Sequence, residues 1–147
     1  MQFRYPVELE EHAEGPVEEH GMLVTFPDLP EAITSGKDRS EALINARDCL
    51  EEVLAHRIAK RLEIPDPSPA AGRECVTPGQ LIASKAALYL IMRESDVGQA
   101  ELARRMGVDR AKINRLLDPK HASKPDQFDA AFAALGKRVV LSVENAA

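Results

Sequence analysis

Apolar and polar residues keep different periods along different stretches of this chain, and each period predicts an element. Gln2–Leu9 alternates, with Phe3, Tyr5, Val7 and Leu9 on one side, as a half-buried strand does. Glu10–Gly21 breaks the pattern with repeated Glu and a Gly15-Pro16 pair, and reads as an exposed turn or loose hairpin. Met22–Phe26 is a second strand, stopped by Pro27 and Pro30, and Ala32–Ser35 is a short third one ended by Gly36. The period then lengthens. Ala42, Leu43, Ala46, Cys49, Leu50, Val53, Leu54 and Ile58 recur at spacings of three and four, which predicts a long amphipathic helix. Asp38 and Glu41 form an Asp-x-x-Glu capping box at its start. The expected unit is an antiparallel sheet with one helix packed on it.

Ile64–Gly72 interrupts this regularity with prolines at 65, 67 and 69. Alternating prolines remove backbone donors and hold the chain near polyproline II, so neither a helix nor a central strand can cross. Residues 64–73 are therefore expected to link two units, 1–63 and 78–147, with a strand near 74–77 returning to the first sheet. Beyond them the pattern is helical. Leu81–Met92 predicts one helix, and Pro125–Leu135 another, with Phe128, Ala131, Phe132 and Leu135 inward and Gly136 as its stop. Between them, Gln99–Leu117 carries the spacing of a helix-turn-helix. Ala103 is small enough for two helices to cross closely, and Gly107 suits a positive φ in the turn. Leu102, Met106, Val108, Ile113 and Leu116 supply the apolar contact, and Asp109 caps the second helix. Arg138–Glu144 alternates again and predicts a final strand. The fold class is thus α+β, with an all-α second unit ending in a strand.

Composition and charge sharpen the picture. With 44% hydrophobic residues the chain can build a core. Its apolar runs are too short to span a bilayer, and no secretory signal is visible. Two cysteines, Cys49 and Cys75, form no disulfide framework, which fits a reducing, cytoplasmic setting. The net charge of −5 argues against nucleic acid only if it is evenly spread. It is not. Residues 1–75 hold 8 Lys and Arg against 16 Asp and Glu, for −8, whereas residues 76–147 hold 11 against 8, for +3. Such asymmetry suggests two modules with different partners.

The basic half presents the candidate chemistry. Arg110, Ala111, Lys112 and Arg115 line the outward side of the second helix, where a recognition helix meets base edges in the major groove. Gln99 opens the first helix and is placed to hold a backbone phosphate, and Lys120, His121 and Lys124 follow as further phosphate contacts. The acidic half shows no catalytic constellation. His12 and His20 have no His or Cys at ligand spacing, so neither metal nor cofactor is expected. A lone terminal strand must find a partner edge. Arg138–Glu144 either adds to the N-terminal sheet or pairs with its own copy, which would make the protein a dimer or tetramer suited to a palindromic operator.

Tyr5-Pro6-Val7, Val24-Thr-Phe-Pro-Asp-Leu-Pro30, Thr34-Ser-Gly36 and Glu41-Ala42 resemble the N-terminal domain of HicB-type antitoxins. Gln99–Leu117 resembles the Xre-like helix-turn-helix that one branch of those proteins carries. The chain departs from the usual pattern at Glu31 for Gly, Asp38 for Thr and Met22 for an aromatic. The resemblance implies a degenerate ribonuclease-H-like first domain and a HicA-type toxin as partner, a small basic mRNA-cleaving ribonuclease. It also implies repression of the shared operon through operator double-stranded DNA, and no enzymatic activity. Two other readings stay open on the residues alone. One is a stand-alone helix-turn-helix regulator whose first domain senses a ligand. The other is an RNA-processing enzyme that uses Asp28 and Asp48.

Overall fold

A computed structural model describes residues 1–12 and 20–146. The first half is built on two antiparallel ladders. Strand β1 (Tyr5–Pro6) pairs with β5 (Cys75–Val76), while β2 (Glu8–His12), β3 (Gly21–Thr25) and β4 (Ile33–Gly36) form a three-stranded sheet in that order. Leu9 faces Val24, and Val24 faces Thr34. The expected first strand is thus split between two ladders. β2 also runs on through Glu10–His12, which the charge pattern had assigned to a turn, because β3 offers it a full set of backbone partners. The Gly15-Pro16 part of that expected turn, at 13–19, lies outside the described residues.

Helix α1 (Arg39–Ala59) covers the sheet with Ala42, Ala46, Leu50, Leu54 and Ile58, all buried at strict spacings of four. Asp38 caps it, its carboxylate accepting from the Glu41 N–H at 2.9 Å. The reciprocal half of the capping box is displaced by one residue, since Glu41 accepts from the Lys37 N–H at 3.3 Å. Gly36 ends β4 so close to α1 that a Cβ there would collide with the backbone of Ala42. Tyr5 is fully buried, and its hydroxyl donates to the Pro65 carbonyl at 2.7 Å. Burial, with Asp28 and Asp66 nearby, pushes that phenol up to about 12.

No helix or strand crosses the proline-rich stretch, yet it is not a free tether. Ile64 is buried, and Asp28 accepts from the Ser68 N–H at 2.8 Å and from its hydroxyl at 2.5 Å. The segment lies against the first core and delivers β5 to its place beside β1, the return expected near 74–77.

Four helices follow: α2 (Gln80–Glu94), α3 (Gln99–Met106), α4 (Arg110–Leu117) and α5 (Pro125–Ala134). Helix α2 serves two cores. Its Ile82, Ala86 and Tyr89 belong to the sheet's core, and its Leu88, Ile91 and Met92 to a second core with Leu102, Ile113 and Phe132. Beyond Gly136 the described residues form no helix and pair with no described strand, so the expected C-terminal strand has no ladder among the described residues. Its apolar residues are exposed, Val140 at 80% and Val143 at 88%. The α+β class stands. No helix among the described residues is long and apolar enough to cross a membrane.

Candidate nucleic-acid interface

Helices α3 and α4 are eight residues each, and the turn between them has the expected build. Gly107 sits in the left-handed region at φ 64°, ψ 36°, and the Val108 N–H donates to the Ala103 carbonyl at 3.0 Å. Leu102, Ala103, Ile113 and Leu116 are buried between the helices and their neighbours. Asp109 occupies the position before α4, but its side chain makes no capping bond. The first turn is closed by the Lys112 N–H donating to the Asp109 backbone carbonyl. On α3, Glu101 bonds both Arg104 and Arg105, and these two guanidinium groups hold its carboxyl down at about 2.

Arg110, Ala111, Lys112 and Arg115 are all exposed on α4, and Lys120 and Lys124 are exposed in the segment that follows. Their charges stand out against the first 59 residues. Every Lys or Arg before Lys60, namely Arg4, Lys37, Arg39, Arg47 and Arg57, is in an ion pair. Arg57 is the best held, with Glu31 taking two bonds at 2.6 and 2.9 Å. That pairing lowers the pKa of Glu31 and raises that of Arg57. Among the described residues no carboxylate pairs with Arg110, Lys112, Arg115, Lys120 or Lys124. Helix α4 therefore concentrates cations that the protein leaves uncompensated. Gln99 is less free than expected. It is half-buried at the start of α3, and its side-chain oxygen is buried with no hydrogen-bond partner among the described residues. His121 directs Nδ1 to the Ser123 hydroxyl at 3.0 Å.

Sequence reasoning missed the residue that fixes this surface. Lys85, on α2, has 0% exposure. Its ammonium donates to the carbonyls of Arg115 and Leu116 and to the Ser123 hydroxyl, each at 3.0 Å, and lies 5.5 Å from the centre of the Phe128 ring. It thus caps the C-terminal end of α4 with positive charge, where the helix dipole favours it. Burial lowers its pKa, and Asp118 opposes that shift. A signal existed: Lys85 is the only charged residue in Leu81–Met92.

Residues 4–78 match the family described as HicB_like antitoxin of bacterial toxin-antitoxin system. This chain belongs to the HicB-like antitoxin family. Similarity to its members runs beyond the matched span and through α3 and α4. The chain is 39% identical over 141 residues to Antitoxin HicB 1 of Photorhabdus laumondii, covering 96% of this chain and 87% of that protein. It is 37% identical over 139 residues to Antitoxin HicB of Escherichia coli strain K12, covering 94% and 97%. Against Antitoxin HicB of Pseudomonas fluorescens the figures are 34% identity, 99% and 97%.

The family assignment bears on the acidic side as well. Glu10, Glu11, Asp48 and Glu52 are exposed and have no ion-pair partner among the described residues. Asp28, named for the nuclease reading, already uses both carboxylate oxygens on Ser68. Among the described residues no group of three or more His, Cys, Asp or Glu is placed to hold a metal ion. The antitoxin role fits a chain whose notable surfaces are charged faces.

Proposed function

We propose that this antitoxin neutralises a HicA-type toxin by covering its RNA-binding face, and represses its own operon by binding operator DNA through α3 and α4. The toxin-binding unit comprises 1–63 with the strand at 74–77, and the DNA-binding and oligomerisation unit comprises 78–147. An mRNA-cleaving toxin has to attract a polyanion, so a domain of net −8 can steer toward it and compete with RNA for its surface. Inhibition then needs no chemistry from this chain. The observation that carries the DNA reading is the cluster of uncompensated cations on α4, next to a turn whose Gly107 and Ala103 fit a helix-turn-helix. In this reading Arg110, Ala111, Lys112 and Arg115 meet base edges, and Gln99, Lys120 and Lys124 approach phosphates. The exposed tail Arg138–Glu144 pairs with the tail of a second copy and places two α4 helices for a two-fold operator.

One pair of assays tests both functions. Co-expression with the adjacent reading frame should yield a complex on co-purification. The purified antitoxin should shift its own promoter, and Arg110→Ala or Arg115→Ala should lower that affinity roughly 5- to 150-fold, as loss of a base contact of ~1–3 kcal/mol requires. Unchanged shifts with both variants would remove α4 from the interface, and a toxin that fails to co-purify would remove the masking role.

A further inference from the structure

The ion-pair census has a second break, earlier than α4. Lys60 and Arg61, at the end of α1, are the first cations in the chain without a carboxylate partner among the described residues. They belong to the otherwise acidic half. The turn that carries them is unusual. The Arg61 N–H donates to the Ile58 carbonyl at 3.2 Å and the Leu62 N–H to the Arg57 carbonyl at 2.8 Å, so α1 ends in a Schellman-type turn. Its left-handed position is filled by Arg61, at φ 56°, where Gly costs least. A clamp from α2 holds the strained turn. The Tyr89 hydroxyl donates to the Leu62 carbonyl at 2.5 Å, and one Arg93 nitrogen donates to the Arg61 carbonyl at 3.1 Å, the Leu62 carbonyl at 3.2 Å and the Tyr89 oxygen at 2.5 Å. Arg93 also lies over the Tyr89 ring at 5.3 Å. The end of α1 is thereby fixed against α2, and through α2 against α3 and α4.

This arrangement shapes an open cleft of about 650 Å³. Ile58 and Arg61 from the end of α1, Tyr89 and Arg93 of α2, and Arg110 and Asn114 of α4 all line it. Asp96 and Asp118 also border it, and Asp118 is engaged by the Lys120 N–H at 3.0 Å. Among the described residues Arg61, Arg93 and Arg110 have no carboxylate ion pair, and these three arginines outnumber the two acids. An open cleft so charged, lined in part by α4, suits a phosphodiester backbone.

Resting on the DNA reading of α4, we propose that the operator footprint extends onto the toxin-binding half: Arg61 holds a DNA backbone phosphate in the cleft it shares with Arg110. The left-handed arginine is then explained by what its side chain reaches. The contact carries no sequence information, because it is made to the backbone. It makes the antitoxin domain a direct part of the operator complex.

Arg61→Gly separates this role from a structural one. Glycine relieves the left-handed residue, so the full-length variant should melt at or above the temperature of the parent while binding its promoter more weakly. The slope of log affinity against log salt should shrink by about 0.9 for each bound copy, one phosphate's worth apiece, and the ratio of promoter to scrambled-DNA affinity should be unchanged. Arg61→Glu should weaken promoter binding further. If both variants bind with the parental affinity and slope while Arg110→Ala does not, the extended footprint is wrong and the α4 reading survives. If the parent itself does not shift its promoter, both fall together. Loss of toxin co-purification with DNA binding intact would give Arg61 to the protein partner and overturn the proposal.

Discussion

Lys85 shows how a single residue ties fold to function. A lysine at 0% exposure loses most of its hydration, and its three hydrogen bonds and the Phe128 ring are what offset that cost. Replacing a buried charge by an apolar side chain can be neutral when its partners are apolar or removed with it. Here the partners are main-chain carbonyls at the end of α4, and they remain. Lys85→Met should therefore destabilise the protein by about 3 kcal/mol, from carbonyls left without their donor, as read by urea unfolding. The variant should also lose promoter selectivity, since α4 is no longer held at its C-terminal end. A variant as stable as the parent would show that the carbonyls find other donors. Periodicity could not reveal this, because it ranks Lys85 as a polar interruption of an apolar helix face. Only the position of α4 relative to α2 makes it a cap.

Local patterns resolve the individual elements well and their partnerships poorly. The buried stripe of α1, the left-handed turn at Gly107 and the stop at Gly136 all follow from residue type and spacing. The split of the first strand into β1 and β2 did not, because it depends on β5 arriving from 70 residues away along the chain. Nor did the double-faced role of α2, or the cleft beside Tyr89 and Arg93. Each is set by contacts between distant segments, which period alone does not encode. The tail is the element whose partner is still missing. Val139, Val140, Leu141 and Val143 are all more than half exposed. Arg4 pairs with Glu144 at 3.0 Å, but that exposed ion pair contributes little. An apolar segment with open backbone groups favours association edge to edge. In the proposed reading, a chain ending at Gly136 should keep its helices by circular dichroism and elute as a monomer in light scattering, whereas the full chain should be dimeric or larger. A truncated chain that remains a dimer would move the interface elsewhere.

At the scale of the whole molecule, charge segregation and the sharing of α2 have to be considered together. The acidic face and the cations of α4 would neutralise each other if the two halves were free to fold together. Helix α2, with one side in each core, and the Tyr89–Arg93 clamp fix how the two halves meet. The chain can then present opposite signs to two partners, each seeing a local field that the net charge of −5 conceals. Such fields act mostly on association rate and fade over a Debye length of about 8 Å at physiological salt. Neutralising Glu10, Glu11, Asp48 and Glu52 together, to Gln and Asn, should therefore slow toxin association about tenfold or more at low salt. The effect should shrink as salt rises, while dissociation and melting temperature change little because these side chains are exposed and have no ion pair among the described residues. Promoter affinity should stay level or rise slightly, as negative charge is removed from a molecule that, in the proposed reading, approaches DNA. Stopped-flow mixing with the toxin across a salt series, beside promoter shifts on the same variant, reads both arms. A toxin association rate that ignores these four charges would mean that shape and apolar contact, rather than the acidic field, select the partner.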